Sequence, residues 1–286
     1  MEGLTIEGKV VVITGATSGI GRAAARRLAR RRALLVLVAR DRARGAAMLA
    51  QLRALAPGIG HMVHYADLSR LAETRRVARE IAAAQPRIDV LINNAGAMYS
   101  NRVVTEEGLE RTFALNHMSY FVLTAGLRDC LLAAAPARIV NTASNAHRMG
   151  HLNFADLQSA RNYGPFIAYA TSKLCNILFT RELARKLRGQ GVTANCFSPG
   201  FVATRWGDES GGLRAIGIRL AKLFALSPQK GAETLLHLAT SPEAAGVSGE
   251  FYFQCRRGAL TAEAQDEAIA QRLWLESERI AAAVAG

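Results

Sequence analysis

The stretch VVVITGATSGIGRAAARRLARR, residues 10–31, decides the fold. It begins with a β-branched run, continues with TGATSGIG (14–21), and ends in a segment of helical composition rich in alanine and arginine. A strand that turns sharply into a helix needs glycine where the backbone bends or approaches a ligand, and Gly15, Gly19 and Gly21 meet that need. The helix N-terminus then offers unpaired N–H groups and the positive end of its dipole to a phosphate. The order of strand, glycines and helix predicts a dinucleotide-binding turn, although three glycines alone can be ordinary turn residues.

The rest of the chain repeats this alternation of strand and helix. Short apolar or β-branched runs are separated by segments of helical period rich in alanine, leucine and arginine. Strands that are apolar on both faces and alternate with helices indicate βαβ units and a parallel sheet covered on both sides. We therefore predict a single α/β domain over residues 1–286, with a doubly wound Rossmann-type sheet of about seven strands and helices on both faces. The predicted strands are residues 10–14, 34–39, 61–66, 89–93, 138–142, 192–197 and 250–253.

Composition and charge restrict the class of protein. The chain has 36 Lys+Arg and 23 Asp+Glu in 286 residues, a formal net charge of +13. The arginines of ARRLARRRA (25–33) follow helical spacing without interleaved aromatic residues, so we predict a solvated face and no nucleic-acid partner. GLRAIGIRLAKLF (212–224) has an apolar helical stripe beside basic residues, which allows weak contact with a membrane surface, although so short a stripe more often covers a pocket.

Targeting signals and cysteines bear on the compartment. The longest apolar runs are too short for a transmembrane segment, and MEGLTIEGKV (1–10) lacks the basic start and apolar stretch of a signal peptide. The four cysteines are scattered, without CxxC pairs. We therefore expect a cytoplasmic protein with free thiols.

The end of the second predicted strand distinguishes between the two nicotinamide dinucleotides. An acidic residue there accepts hydrogen bonds from the ribose 2′-hydroxyl of NAD, whereas arginine attracts the 2′-phosphate of NADP. The strand ends in Ala39 and Arg40. Arg22, in the first turn of the first helix, opposes the helix dipole unless an anion lies nearby. Both arginines favour NADP(H) as the cofactor, while Asp41, directly after the strand, favours NAD.

YATSKLCN, residues 169–176, places a tyrosine and a lysine four positions apart in an apolar helical segment. Tyr169 and Lys173 therefore lie on one face of the predicted helix. A phenol with a pKa of about 10 is a poor acid–base catalyst at neutral pH, and a neighbouring ammonium stabilises the phenolate and lowers that pKa. We interpret Tyr169 as a proton donor beside a nicotinamide. The alternative is a core tyrosine beside a lysine that reaches the surface.

Six motifs resemble, in the same order, those of the short-chain dehydrogenase/reductase family. They are TGATSGIG (14–21), NNAG (93–96), LNH (115–117), VNTAS (140–144), YATSK (169–173) and SPGFVAT (198–204). The resemblance covers nearly the whole chain and is greatest to the NADP-dependent retinol dehydrogenase group. The supporting stretches are GLERTFALNHMSYFVLT (108–124), FIAYATSKLCNILFTRELARKL (166–187) and the tail that begins GEFYFQCRRGAL (249–260).

The resemblance implies four catalytic residues, Asn116, Ser144, Tyr169 and Lys173. In such an enzyme Tyr169 gives its proton to the carbonyl oxygen while the nicotinamide delivers hydride to the carbon. Lys173 lowers the pKa of Tyr169 and holds the nicotinamide ribose. Ser144 contacts the substrate through a hydrogen bond to the reacting oxygen, and Asn116 helps to hold a water that connects Lys173 with solvent. The residues expected to bind NADP(H) are Gly15, Thr17, Ser18, Gly19, Ile20, Gly21, Arg40, Asp67, Leu68, Asn94, Ala95, Gly96, Tyr169, Lys173, Pro199, Gly200, Val202 and Thr204.

Several of these residues also have a structural interpretation when each is taken alone. Asn94 and Asn116 can satisfy backbone groups, Ser144 can bond within its own turn, and Asp67 can begin a helix. The histidines lack a carboxylate or cysteine partner at metal-ligand spacing, and this chemistry needs no metal, so no metal site is predicted.

Residues 205–227 are the predicted substrate cover, and their apolar and basic character favours a lipophilic aldehyde or ketone and its alcohol. The leading hypothesis is an NADP(H)-dependent oxidoreductase that interconverts such a carbonyl and its alcohol. One alternative is an NADP-binding regulator or scaffold without turnover. Another is an enzyme similar to light-dependent protochlorophyllide reductase, whose active helix is alike through SKLCN (172–176). The resemblance also suggests a homodimer formed through the helices that carry Asn116 and Tyr169.

Overall fold

The computed structural model describes residues 5–200 and 226–284, and its centre is one sheet. The strands in the described residues are β1 (Val10–Thr14), β2 (Leu34–Ala39), β3 (Met62–Tyr65), β4 (Val90–Asn93), β5 (Ala137–Thr142), β6 (Val192–Ser198), β7 (Phe251–Phe253) and β8 (Arg256–Arg257). Their order is β3-β2-β1-β4-β5-β6-β7-β8. The first seven strands are parallel, and β8 pairs with β7 antiparallel. The predicted parallel α/β sheet is confirmed, and the two-residue β8 is added to it.

Helices connect the strands and cover the sheet. They are α1 (Gly19–Arg30), α2 (Arg42–Leu55), α3 (Leu71–Ala84), α4 (Arg111–Phe113), α5 (Ser119–Gly126), α6 (Arg128–Ala133), α7 (Pro165–Lys186), α8 (Pro228–Gly231), α9 (Glu233–Thr240), α10 (Ala262–Gln265) and α11 (Glu267–Ala283). A π-helical turn, Ala114–Met118, joins α4 to α5, and a 3₁₀ turn, Asn145–Met149, follows β5. Over residues 5–200 and 226–284, no helix has the length and apolar character needed to cross a membrane.

Successive side chains of β1 point to opposite faces of the sheet and enter two different cores. Val11 and Ile13 belong to a core that contains Leu28 of α1 and also includes residues of α2 and α9. Val12 belongs to the other core, with Ile177 of α7 and residues of α3, α5 and α11. All five side chains are fully buried. Both faces of the sheet are therefore covered by helices, which explains why β1 is apolar on both of its faces.

The long C-terminal helix α11 packs across α7 and α5. The Trp274 ring stacks on Phe179 of α7 with ring centroids 5.8 Å apart, and it meets Phe121 of α5 at 5.0 Å. The ammonium of Lys186 lies 4.8 Å above the same indole ring. This aromatic cluster fixes α11 against the two helices that border the catalytic residues.

The direction in which the chain adds strands reverses at β1. From β1 the chain proceeds outward through β2 and β3, then returns to add β4 and β5 on the other side of β1. In open parallel sheets, ligands bind at the carboxyl ends of the strands beside such a reversal. The loops that follow β1, β2, β4 and β5 all meet at this edge.

Candidate active site

The turn after β1 leaves no room for side chains at two of its glycines. Gly15 has a φ of +70°, and a Cβ there would lie 2.9 Å from the Cα of Ala95. A Cβ on Gly21 would lie 2.4 Å from the carbonyl oxygen of Gly15. Ser18 precedes α1 without a side-chain capping bond, and the first turn of α1 contains no acidic residue. The N-terminus of α1 is therefore compatible with a bound phosphate. Of the other predicted residues of this turn, Thr17 and Ser18 lie between β1 and α1, and Gly19 and Ile20 begin α1.

Asn94, directly after β4, holds the glycine turn in place. Its Nδ2 donates to the carbonyl oxygens of Thr14 and Gly15 at 3.0 and 3.3 Å. The backbone N–H groups of Asn94 and Ala95 both donate to the Thr14 hydroxyl at 2.9 Å. Thr14 begins the TGATSGIG motif but was not among the predicted site residues. Asn94 therefore satisfies backbone groups, which is its structural interpretation, and it does so within the predicted cofactor site.

Asp67 and Leu68 follow β3 at the same edge of the sheet. Asp67 Oδ1 accepts hydrogen bonds from the backbone N–H and the hydroxyl of Ser69, at 2.9 and 2.7 Å. Leu68 is buried in the core. The carboxylate of Asp67 is thereby oriented by its own turn and keeps its second oxygen for other partners.

Arg40 lies exposed at the end of β2, close to Tyr99. Burial raises the pKa of Tyr99, while the positive charges of Arg111 and Arg40 act in the opposite direction. The Arg111 guanidinium lies 4.6 Å above the Tyr99 ring and 3.9 Å from Asp67 Oδ2. Tyr99 and Arg111 were not among the predicted residues, because both lie far in sequence from the ends of β2 and β3. The second arginine that favours NADP, Arg22, donates to the amide oxygen of Gln51 at 3.0 Å.

Tyr169, Lys173 and Ser144 come together where α7 passes the end of β5. Lys173 is buried, its Nζ donates to the carbonyl oxygen of Thr142 at 3.1 Å, and it lies 5.5 Å from the centroid of the Tyr169 ring. Ser144 precedes the 3₁₀ turn and accepts a hydrogen bond from the backbone of Ala146 at 3.1 Å. Its hydroxyl also hydrogen-bonds the Tyr169 side chain. Three predicted catalytic residues thus share one site.

Burial dominates the acid–base properties of this site. It raises the pKa of Tyr169 to about 12, and the hydrogen bond from Ser144 acts against this with a smaller effect. Burial also lowers the pKa of Lys173 to about 7. The net pKa of Tyr169 is thus raised, because burial removes hydration from its charged form. The lowering of this pKa by Lys173 stays a prediction.

Asn116 lies in the π-helical turn and is fully buried. Its Oδ1 accepts from the N–H of Ala97 at 2.9 Å, and its Nδ2 donates to the Ala97 carbonyl and to the Ser172 hydroxyl, both at 2.9 Å. A Cβ on Gly96 would lie 3.1 Å from Asn116 Oδ1 and 3.4 Å from Lys173 Nζ. The segment from Asn94 to Ala97 therefore connects the glycine turn with the catalytic residues.

The end of β6 supplies part of the remaining predicted site. Pro199 and Gly200 follow Ser198, whose hydroxyl accepts hydrogen bonds from the N–H groups of Asn145 and Gly200 at 3.0 and 3.3 Å. This ties the β6 end to the turn that begins at Ser144. The predicted cofactor residues Val202 and Thr204 lie outside the described residues, as do the predicted membrane-surface stripe and positions 205–225 of the predicted substrate cover.

Tyr120 is a buried neighbour of the catalytic residues that sequence analysis did not predict. It lies on α5, four positions after Asn116, and its ring centroid is 5.9 Å from Lys173 Nζ. Burial raises its pKa, and the charge of Tyr169 adds to that effect. Its position one turn from Asn116 is the only signal in the sequence that points to it.

Comparison with known proteins identifies the family. The profile of the short chain dehydrogenase family matches residues 9–215. Human retinol dehydrogenase 14 is 40% identical over 293 residues, covering 96% of this chain and 86% of its own length. Human retinol dehydrogenase 13 is 40% identical, covering 96% of this chain and 85% of its own length.

Solved structures agree with this comparison. An uncharacterised protein from Mycobacterium paratuberculosis is similar with a TM-score of 0.77 and 31% identity, covering 97% of this chain and 95% of its own. A short chain dehydrogenase from Burkholderia cenocepacia, solved in complex with NADP, has a TM-score of 0.69 and 26% identity, covering 86% of this chain and 96% of its own. With its family match, its parallel sheet and its retinol dehydrogenase relatives, the chain belongs to the short-chain dehydrogenase family of oxidoreductases.

Proposed function

We propose that this oxidoreductase uses NADP(H) to interconvert a lipophilic aldehyde or ketone with its alcohol. The observation that carries the proposal is the meeting of Ser144, Tyr169 and Lys173 at the end of β5, next to the glycine turn after β1. Carbonyl reduction requires a proton donor, a hydroxyl that binds the carbonyl oxygen and a cation beside the nucleotide. Tyr169, Ser144 and Lys173 provide these three groups. The similarity to retinol dehydrogenases supports a lipophilic substrate.

The residues around the glycine turn fit a dinucleotide. Gly15 and Gly21 let the turn pack closely against Asn94 and Ala95, and the N-terminus of α1 offers its N–H groups to a phosphate without an acidic residue in the first turn. Arg40 at the end of β2 favours a 2′-phosphate. The similar short chain dehydrogenase from Burkholderia cenocepacia, solved in complex with NADP, supports the same choice. When bound, the nicotinamide supplies or accepts the hydride.

Protons are handled by Tyr169 and Lys173. A phenol with a pKa of about 12 is fully protonated at neutral pH and can donate to a carbonyl oxygen held by Ser144. Lys173, with a pKa of about 7, can release or take up a proton near neutrality and so can restore the phenol. Asn116, through its bonds to Ala97 and Ser172, keeps the π-helical turn against α7 during these transfers.

The test is consumption of NADPH and, in parallel, NADH by the purified protein with lipophilic aldehydes and ketones, all-trans-retinal among them. We expect NADPH-dependent turnover that Tyr169→Phe abolishes while NADPH affinity is kept. Faster turnover with NADH would contradict the assignment of Arg40. Tight NADPH binding without any turnover would contradict the proposed enzymatic activity and favour a nucleotide-binding regulator.

Three wider features belong to the same proposal. Residues 1–286 form one domain, residues 205–227 cover the substrate, and the protein works in the cytoplasm. Pairing of two copies through α5 and α7 stays a prediction. Because α11 packs over part of that surface, a homodimer formed there would have to include α11 in its interface.

A further inference from the structure

A set of buried polar side chains connects α11 with the carbonyl group that holds Lys173. The hydroxyl of Ser277 on α11 lies 2.9 Å from Nε2 of His117 in the π-helical turn. Asn176, one turn after Lys173 on α7, donates from Nδ2 to the carbonyl oxygen of Thr142 at 3.1 Å. The Nζ of Lys173 donates to the same oxygen, also at 3.1 Å. All these side chains except that of Thr142, which contributes only its carbonyl, are at least 98% buried.

Two polar atoms in this set are left without hydrogen bonds of ordinary geometry. Within the described parts of the chain, Nδ1 of His117 and Oδ1 of Asn176 are buried and make no such bond. The two groups are neighbours, because hydrogen bonding with the Asn176 side chain raises the pKa of His117 against the larger lowering by burial. Burial brings that pKa to about 3, so the His117 ring is neutral. Buried polar groups in native proteins are nearly always paired, which calls for an arrangement that satisfies both atoms.

The position of the single proton on the neutral ring decides whether both atoms are satisfied. With the proton on Nε2, His117 donates to Ser277, and its bare Nδ1 and the Asn176 Oδ1 are two buried acceptors that both lack a donor. With the proton on Nδ1, His117 donates to Asn176 Oδ1, and the Ser277 hydroxyl donates to Nε2. The second arrangement costs only the bond from the Ser277 hydroxyl to the Leu273 carbonyl within α11, at 2.8 Å.

We propose that His117 is protonated on Nδ1 and that Ser277, His117 and Asn176 form one hydrogen-bonded relay. The relay runs from the Ser277 O–H to His117 Nε2, from His117 Nδ1–H to Asn176 Oδ1, and from Asn176 Nδ2–H to the Thr142 carbonyl. Its three members are positioning residues, because they act on Lys173 through that carbonyl. The catalytic consequence rests on the proposed role of Lys173.

The relay explains how a C-terminal helix can influence the reaction. Thr142 stands two residues before Ser144, and His117 directly follows Asn116. Fixing the Thr142 carbonyl and the His117 ring therefore restrains the elements that carry all four catalytic residues. α11 is then part of the scaffold of the active site.

The first test reads the proton directly and needs no turnover. The protein is labelled with ¹⁵N-histidine, and long-range ¹H–¹⁵N spectra distinguish the two neutral tautomers of each ring. The chain has six histidines, so His117→Gln identifies the signal of His117 by its loss. We expect the Nδ1–H tautomer in the wild type and a shift toward Nε2–H in Asn176→Leu. An Nε2–H tautomer in the folded wild type would overturn the relay.

The second test measures the positioning role with a matched pair of variants. Ser277→Ala removes the hydroxyl that contacts His117. Ser119→Ala is the control, since Ser119 is equally buried and its hydroxyl likewise bonds a carbonyl four residues earlier, that of Leu115 at 2.6 Å. We expect Ser277→Ala to lower kcat about 2- to 30-fold below Ser119→Ala, with KM nearly unchanged, and Ser277→Thr to restore it.

Equal kcat in the two alanine variants would overturn the positioning role even if the tautomer is as expected. Absence of turnover in the wild type would instead contradict the proposed function, and the tautomer would still decide whether the relay exists.

Discussion

The glycine turn and the catalytic site are neighbours built in opposite ways. The turn from Gly15 to Gly21 is seven consecutive residues whose shape follows from a positive φ and from the absence of space for a Cβ. The catalytic site draws on Asn116, Ser144 and the Tyr169–Lys173 pair, which lie on three separate elements. Backbone conformation and close packing against Asn94 and Ala95 therefore shape the turn, whereas burial among several segments gives the catalytic residues their pKa values.

Loss of the Ser144 hydroxyl is the change with the largest expected effect, and it acts on the catalytic site alone. Ser144→Ala should lower kcat about 10²- to 10³-fold, because a donor to the developing oxyanion is lost. NADPH affinity should stay within a few-fold of the wild type in a fluorescence titration. Ser144→Thr, which keeps a hydroxyl, is the control. An equal loss of NADPH affinity would show that the two regions are not separable.

Adding a methyl group to the turn should instead weaken NADPH binding, which the change at Ser144 leaves nearly unchanged. A Cβ at Gly21 would be 2.4 Å from the Gly15 carbonyl oxygen, so Gly21→Ala should lower the free energy of unfolding by about 1–3 kcal/mol and weaken NADPH binding. Gly60→Ala is the matched control, since no atom lies within 4 Å of its Cβ. Urea denaturation and NADPH titration measure both effects. Identical behaviour of the two variants would refute the tight packing of this turn.

Arg40 tests which dinucleotide the turn serves. Arg40→Ser should weaken NADPH binding about ten-fold and leave NADH binding unchanged, because it removes one charge-assisted bond to the 2′-phosphate. Arg53→Ser, an exposed arginine on α2, controls for the change in net charge. Parallel losses for NADPH and NADH would assign Arg40 a role other than cofactor choice.

The pH dependence of stability tests the buried lysine and has the smallest expected signal. Lys173 has a pKa of about 7 in the fold and 10.5 as a free side chain, so between these values the unfolded state binds more protons. The stability of the wild type should therefore gain a contribution from Lys173 as the pH rises from 7 to 10. Lys173→Met lacks this contribution. The Tm of the variant minus the Tm of the wild type should therefore fall as the pH rises from 7 to 10. A constant difference in Tm would mean that Lys173 titrates normally.

Much of the fold was predictable because its signals are local. Each predicted strand is found within a residue or two, since a run of apolar and β-branched residues between turn signals has few alternatives. β8 is only two residues long and carries no such pattern. The π-helical turn at Asn116 was also not predicted, because its helical sequence does not reveal the extra residue in the turn.

The sequence predicted which residues form the site but not their pKa values. The spacing of Tyr169 and Lys173 placed both on one helix face. The sequence contained no sign that burial would raise one pKa and lower the other. It also left Tyr99, Arg111 and Tyr120 unnoticed, because each reaches the site from a loop or helix without a motif of its own.

The sequence by itself determined the order of strands and helices, the glycine turn and the one-turn spacing of the tyrosine and lysine, because these depend on backbone constraints within a few residues. Only the tertiary structure decided that Ser144 meets Tyr169, that α11 reaches His117, and that the lysine loses its hydration. Contacts and burial arise when segments far apart in the chain pack together, and no short stretch of sequence contains that information.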